Sequence, residues 1–126
     1  MLAELRDDVT DLLAALDGVN VYPHPVDNLA APAAIIAGVQ ADPDSGDSWR
    51  CTVEVYVVVS RRHVDQLAQL DELLDPTGTA RTSVVAAILA DGSAWDVTNV
   101  GEYREFTIGD LPHYAATITA EVLCYG

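Results

Sequence analysis

The sequence predicts an α+β domain in which helices pack on one face of a mostly antiparallel sheet of four to five strands. Two segments, 48–60 and 114–125, alternate apolar and polar residues in the manner of long strands with one buried face. Segments with apolar residues every three or four positions, typical of amphipathic helices, precede and separate them. Because the order is helix, strands, helix pair, strands, it favours helices segregated to one side of an antiparallel sheet.

The length and charge of the chain limit the kinds of protein that it can be. Its 126 residues suffice for one domain with a single core, and we expect residues 1–126 to form that domain without a linker. The formal net charge is −14. Such acidity argues against binding to the phosphates of nucleic acids or of an anionic membrane. We see no secretion signal, and no apolar run approaches the roughly 20 residues that a membrane span needs.

The first third of the chain predicts a helix and two strands. Residues 2–17 have a leucine-rich helical face, and Gly18 stands where a helix C-terminal cap is expected. A short strand over 19–22 would end at Pro23-His24-Pro25, because proline lacks the N–H that a strand ladder needs. A second strand, small and apolar on both faces, is predicted over 32–39.

Residues 42–47, Asp-Pro-Asp-Ser-Gly-Asp, predict a polar turn. The run superficially resembles an EF-hand calcium loop. Gly46 however occupies the fifth position, where an oxygen ligand is needed, and Val53 the twelfth, where a glutamate is needed. The turn interpretation is therefore preferred, and no metal site is predicted.

The strand predicted over 48–60 is the most regular segment. Cys51 and the odd-numbered valines share one face, and Thr52, Glu54 and Tyr56 share the other. At about 3.3 Å per residue, the strand would be roughly as long as a domain of this size is wide. It must therefore bend or project at one end, and a projecting strand end suits a subunit of an assembly.

The second half predicts two helices and further strands. A helix following Ser60 would have its buried side formed by Val64, Leu67, Leu70, Leu73 and Leu74. Thr79 is predicted to cap another helix over 80–90, and a strand is predicted over 95–100. The alternating strand over 114–125 would pair with the one over 48–60. Residues 101–112 predict either a long functional loop or an extra strand of the same domain.

No catalytic, cofactor-binding or metal-binding motif is present, so an enzyme is not predicted. His24, His63 and His113 are scattered and are interpreted as surface or turn residues. Cys51 and Cys124 are expected to be reduced and buried on inward strand faces, and a disulfide would require their strands to be neighbours. Tyr103, Phe106 and Tyr125 could serve either an interface or the core.

The segments resemble, in order and in length, the tail terminator (tail completion) proteins of long-tailed phages, above all those of phages infecting actinobacteria. The segments that carry the resemblance are GVNVYPHPVDNLAAPAAIIAG, WRCTVEVYVVVSRR, VDQLAQLDELL with the following PTG, SVVAAIL and GEYREFTIGDLPHYAATITAEVL. They extend over nearly the whole chain. The fold that this resemblance implies, a sheet with helices on one side, agrees with the one predicted from the residues.

The resemblance implies a non-enzymatic virion protein that requires no cofactor. Such proteins form a six-membered ring on the head-proximal end of the tail tube, stop tube polymerisation and present a surface to the head–tail connector. The implied partners are other copies of the chain, the tail tube protein and the connector, with DNA passing through the lumen without specific binding. The implied location is the neck of the virion, after assembly in the host cytoplasm.

Docking is expected at three irregular segments, 23–27, 41–47 and 101–112, because each flanks a strand, and at the scarce arginines, which could pair with acids of another subunit. The candidate interface residues are Pro23, His24, Pro25, Asp44, Asp47, Arg61, Arg62, Tyr103, Arg104 and Phe106. Two other functions remain open: a different neck component, such as a head-closure or adaptor protein, and a small acidic enzyme or ligand-binding domain, whose mark would be a pocket with convergent polar groups.

Overall fold

The computed structural model confirms the predicted fold class, with six strands instead of four to five and three helices on one face of the sheet. It describes residues 2–26, 28–60, 66–90, 92–101, 103–108 and 111–125. The elements are α1 (Leu2–Leu13), β1 (Asn20–Tyr22), β2 (Ala33–Pro43), β3 (Ser48–Ser60), α2 (Gln66–Leu74), α3 (Val84–Ile88), β4 (Asp96–Val100), β5 (Arg104–Ile108) and β6 (Leu111–Tyr125).

The sheet is organised around β3 and β6, which pair antiparallel along the whole length of β3, as predicted. The strand order is β1-β2-β3-β6-β4, and β5 also pairs with β6. β5 and β4 follow each other along one edge of β6, because β5 pairs with its first residues and β4 with the stretch from Ile118 to Glu121. Among the described strand pairs, only the short contact of β1 with β2 is parallel.

The main core lies between the helices and the inward face of β3 and β6. Cys51, Val53, Val55, Val57 and Val59 are all fully buried there, which confirms the predicted alternation. Side chains of α1, α2 and α3 belong to the same cluster. On the opposite face of β3, Tyr56 is exposed. Burying one face of each long strand against the helices is thus the main source of hydrophobic stabilisation.

A second, smaller apolar cluster lies on the opposite face of the sheet. Ala33, Ile35 and Val58 are buried in it, with Tyr22 and Leu29 packed against them. This confirms that β2 begins with residues buried on both faces. β2 is longer than predicted, since residues 41–43, which were assigned to a turn, pair with Trp49, Arg50 and Cys51 of β3. Pro43 is tolerated because it ends the strand.

The helices are confirmed in place but are shorter than predicted. α1 ends at Leu13, so Gly18 lies five residues beyond the helix and is not its C-terminal cap, although it does adopt a left-handed conformation at φ +69°. In α2, Leu67 is 40% exposed and does not join the core as predicted, while Val64 lies outside the described residues. α3 is capped by Ser83 and not by Thr79, because the Thr79 hydroxyl bonds to that of Thr82.

Residues 104–108 form β5. Of the two alternatives predicted for residues 101–112, the extra strand is therefore confirmed for this part, and the long loop is wrong. β5 pairs with β6, which begins at Leu111, three residues before the predicted start. His113 is consequently a buried strand residue and not a turn residue, and its Nδ1 lies 2.9 Å from the carbonyl oxygen of Leu111. Pairing between segments that are adjacent in sequence explains the strand, since five residues are too few for their own pattern to predict it.

Replacing Ser83 with alanine is expected to lower the free energy of unfolding by about 1–3 kcal/mol. The buried Ser83 hydroxyl donates to the carbonyl oxygen of Asp75 at 2.7 Å and accepts from the N–H of Ala86 at 3.2 Å. Alanine would therefore leave a carbonyl and a helix N–H without this partner. Urea unfolding measures the change. Thr79→Ala, at an exposed pair of hydroxyls, is the control, and an equal loss in both variants would contradict the capping role.

Candidate functional site

The sheet narrows to three strands at one end, and this end is the first candidate for an assembly surface. β1 pairs with β2 no further than Ile35, and β4 pairs with β6 no further than Glu121. β2, β3 and β6 continue beyond those points. Near their ends, Pro43 of β2 is paired with Trp49 of β3, and Trp49 is in turn paired with Cys124 of β6. We call residues 40–43, 48–52 and 122–125 the sheet tip. The long strand therefore does end in a narrow extension, as its length indicated.

The outer face of the sheet tip carries both an ion-pair network and exposed apolar side chains. Arg50 contacts Asp44 at 3.4 Å and Glu121 at 3.3 Å, so it connects the turn to β6. Leu123 is 46% exposed and Tyr125 is 79% exposed. These side chains make the surface partly apolar, which is a property of protein interfaces.

The predicted docking turn is held in place by its own hydrogen bonds. The hydroxyl of Ser48 donates to the carbonyl oxygen of Ser45 at 2.6 Å, and Gly46 supplies the left-handed conformation at φ +64°. Both aspartates are exposed, but the Asp44 carboxylate pairs with Arg50, whereas that of Asp47 has no ion pair with a described residue. Asp47 is thus the predicted interface aspartate whose charge is not already paired.

A mostly apolar cleft of about 370 Å³ lies on the helix-covered face next to the sheet tip. We call it the Trp95 cleft. Its apolar lining comes from α1, from the segment before β4 and from the end of β6; the lining residues are Leu5, Asp8, Asp11, Leu12, Ser93, Ala94, Trp95, Val122 and Cys124. The side chains of Asp8 and Asp11 are exposed. An apolar cleft with carboxylates suits an apolar side chain accompanied by a cation.

The two cysteines lie on the same face of neighbouring strands. Cys51 is opposite Val122 in β6, two positions from Cys124, and both are free thiols. Burial, followed by the neighbouring Cys124, raises the pKa of the Cys51 thiol from 9.0 to about 11. The expectation of reduced, buried thiols is confirmed for Cys51, while Cys124 is half-buried and lines the cleft.

Native protein is therefore expected to react rapidly with a maleimide at Cys124 and slowly at Cys51, because the reactive species is the thiolate. The raised pKa of Cys51 also makes stability depend on pH. The folded state keeps a proton that the unfolded state loses, so stability is constant below the ordinary pKa of 9.0 and falls between about pH 9 and 11. Mass spectrometry of timed alkylation and unfolding curves measure both effects. Cys51→Ala should remove its share of the pH dependence, and rapid labelling of Cys51 at pH 8 would contradict the assignment.

The opposite end of the sheet carries the β5–β6 hairpin, which contains three predicted interface residues. The Tyr103 hydroxyl donates to Asp71 of α2, and burial together with this contact raises the pKa of Tyr103 to about 12. Arg104 is exposed at the start of β5, opposite Ala115. The backbone of Phe106 pairs with that of His113, and at the turn Leu111 is 45% exposed.

The remaining predicted residues lie elsewhere. Pro23, His24 and Pro25 are exposed after β1, and Arg6 of α1 fixes this segment by donating to the carbonyl oxygens of Pro23 and Ile36. Arg61, Arg62 and Asp27 lie outside the described residues. The predicted interface residues that the structure describes therefore occupy three separate places: the turn next to the sheet tip, the β5–β6 hairpin and the segment beside α1. The Trp95 cleft was not predicted.

Two features of the described part of the chain bear on other functions. It contains no group of three or more histidine, cysteine or acidic side chains that could hold a metal ion. None of its helices is both long and apolar enough to cross a membrane. In comparisons with known proteins, no protein-family model and no curated protein matches the chain.

Proposed function

We propose that this chain is a structural subunit of a phage neck that caps the head-proximal end of the tail tube as a six-membered ring. The observation that carries the proposal is the sheet tip, where three paired strands end in exposed apolar side chains, Leu123 and Tyr125. No described strand pairs with the outer edge of β2 from Gly38 to Pro43. Proteins usually protect such edges, so an open one next to an apolar surface favours a role in assembly.

The fold adds support, because an α+β sheet with all helices on one face is the architecture that the resemblance to tail terminators implies. The face opposite the helices is covered in part by the small cluster of Ala33, Ile35 and Val58 with Leu29. The rest of that face and the ends of the sheet would then contact the tube, the connector and neighbouring copies. In this proposal, the ring stops addition of further tube subunits and offers the connector its opposite surface. Head-closure and adaptor proteins would use the same kind of surface at another position in the neck.

Native mass measured over a wide concentration range, with electron microscopy of the same samples, is the first test. We expect rings with six copies at high concentration or on addition of tail tubes. The second test is tail length in a phage that lacks this protein. Abnormally long tubes support the terminator, whereas capped tubes of normal length with blocked infection assign the chain to another neck position. Normal tails and normal infection would overturn the proposal.

The acidity of the chain suggests how a ring would act on DNA. Six copies at −14 would carry roughly −84 in total around the conduit. If part of this charge faces the lumen, repulsion between the wall and the phosphates keeps DNA from binding during passage. Titration of labelled duplex DNA at low and high salt should show no binding at either. Binding that weakens with salt would contradict this role.

A ligand-binding function is the second candidate, and the Trp95 cleft is the observation that favours it. Its volume of about 370 Å³ falls within the usual range of small-molecule sites. A thermal-shift screen of metabolites would distinguish the functions. A ligand that stabilises the protein and leaves its assembly unchanged supports the ligand-binding function, and stabilisation by tail tubes alone supports the neck protein.

A further inference from the structure

We propose that the Trp95 cleft of one copy receives the β5–β6 hairpin of a second copy, with Leu111 in the apolar cleft and Arg104 facing Asp8 and Asp11. The inference rests on the proposed ring and specifies the contact between its subunits. The evidence for this contact is that two surfaces with complementary chemistry lie at opposite ends of β6.

The cleft presents an apolar surface with negative charge beside it. Leu12, Ala94 and Val122 are the lining residues that keep apolar surface in contact with water, while Trp95 and Leu5 are buried beneath them, and the exposed carboxylates of Asp8 and Asp11 lie on α1 alongside. Filling the cleft with an apolar side chain would remove this remaining apolar surface from water. A cation next to that side chain would then be attracted by the two carboxylates.

The hairpin supplies the matching groups. Within the part of the chain that the structure describes, Arg6 donates to backbone carbonyls, Arg50 pairs with Asp44 and Glu121, and Arg81 pairs with Asp17. Arg104 is the remaining described arginine, and its guanidinium has no hydrogen bond or ion pair with any described residue. In a chain with 20 acidic and six basic residues, an uncommitted arginine is a scarce group.

Arg104 and Leu111 lie on the same face of the hairpin. Arg104 is opposite Ala115, and Ala115 and Leu111 are an even number of positions apart on β6. The alternation of β6 therefore directs both towards the side of the sheet away from the helices. The hairpin can thus offer an apolar and a cationic group to one partner surface.

The two surfaces cannot meet within one chain. At about 3.4 Å per residue, Leu111 and Cys124 are separated by roughly 40 Å along β6. The contact must therefore join two copies, and it joins different surfaces on each. Such a head-to-tail contact produces a closed ring when its rotation closes, and an open filament when it does not. A ring is the outcome that the proposed function requires.

Cross-linking between Leu111→Cys and the natural Cys124 tests the contact directly. A short bis-maleimide linker should join separate copies into covalent dimers and higher oligomers, visible after denaturation. Buried Cys51 is not expected to react. The same substitution combined with Cys124→Ser should remove the products, and Tyr56→Cys, exposed in the middle of the sheet, should produce none. Absence of products from Leu111→Cys, or equal products from Tyr56→Cys, would overturn the inference.

Charge reversal provides an independent test in solution. Arg104→Glu should weaken association about tenfold or more, which corresponds to about 1.4 kcal/mol. Arg81→Glu is the matched control, because it makes the same charge change at an exposed pair away from the cleft. Mixing Arg104→Glu with Asp8→Arg/Asp11→Arg protein should restore association between the two variants. A loss without restoration on mixing would overturn the contact.

The outcomes separate this inference from the proposed function. Rings without the cross-link would reject the contact and retain the ring. Cross-linked filaments, together with normal tails in a phage lacking the protein, would retain the contact and reject the terminator. If the protein stayed monomeric at every concentration, formed no ring when tail tubes were added and gave no cross-linked products, both the contact and the proposed ring would be rejected.

Discussion

Replacing Ile118 with alanine is expected to destabilise the protein by about 2–5 kcal/mol, a large part of the 5–15 kcal/mol typical of a domain. Ile118 is fully buried at the centre of β6, where it faces Val55 of β3 and Val100 of β4. Alanine would leave a cavity at the junction of three strands, and paired backbones limit how far neighbours can move into it. Urea unfolding, followed by circular dichroism, measures the loss.

Thr119→Ala is the control for this prediction. Thr119 is the next residue of the same strand and faces the other side of the sheet, opposite Glu54. It is half-buried, so its truncation should cost about 1 kcal/mol or less. If both variants lost equal stability, the assignment of Ile118 to the core face would be wrong.

Trp95→Ala is expected to cost about 3–5 kcal/mol, because a large and nearly buried aromatic side chain is removed. Trp95 is 7% exposed and belongs to the main core cluster next to α1 and the end of β6. The loss should therefore weaken docking of α1 as well as the local packing. Fluorescence of the remaining Trp49 reports global unfolding, and hydrogen exchange of α1 reports its docking.

A smaller substitution provides the comparison. Trp95→Phe keeps an aromatic ring in the site, so its loss of stability should be less than half of that caused by Trp95→Ala. Unchanged stability in Trp95→Ala would show that this side chain contributes little to the core. Faster exchange everywhere, with no preference for α1, would contradict its specific role in helix docking.

The alternation of Ser48–Ser60 predicted β3 with both ends correct. β-branched residues on one face and polar residues on the other are compatible with a half-buried strand and not with a helix. β5 could not be assigned from its five residues, since its partner is the first part of β6, Leu111–Ala115, and pairing is not a property of either segment alone. For the same reason, the extension of β2 to Pro43 became visible only in its pairing with β3.

The candidate site was less predictable than the fold. The sequence singled out Asp44 and Arg104, but it could not show that Asp44 is paired with Arg50 while Arg104 has no such partner. The Trp95 cleft assembles residues from α1, from the segment before β4 and from the end of β6, which are far apart in sequence. Its one local signal is a lone tryptophan before a predicted strand, and that is equally typical of a core residue.

The pairing of β3 with β6 has a consequence for the order in which the protein folds. It joins Ser60 with His113 and Ser48 with Tyr125, so α2, α3, β4 and β5 must be traversed before the central ladder can close. The β2–β3 hairpin needs only the short turn between them. Contacts between distant segments require a loss of chain entropy on loop closure before the favourable contact energy is gained. A high contact order therefore predicts folding in milliseconds to seconds. During synthesis, β6 would emerge after the other described strands, and the edge of β3 would remain open to other chains until it arrives.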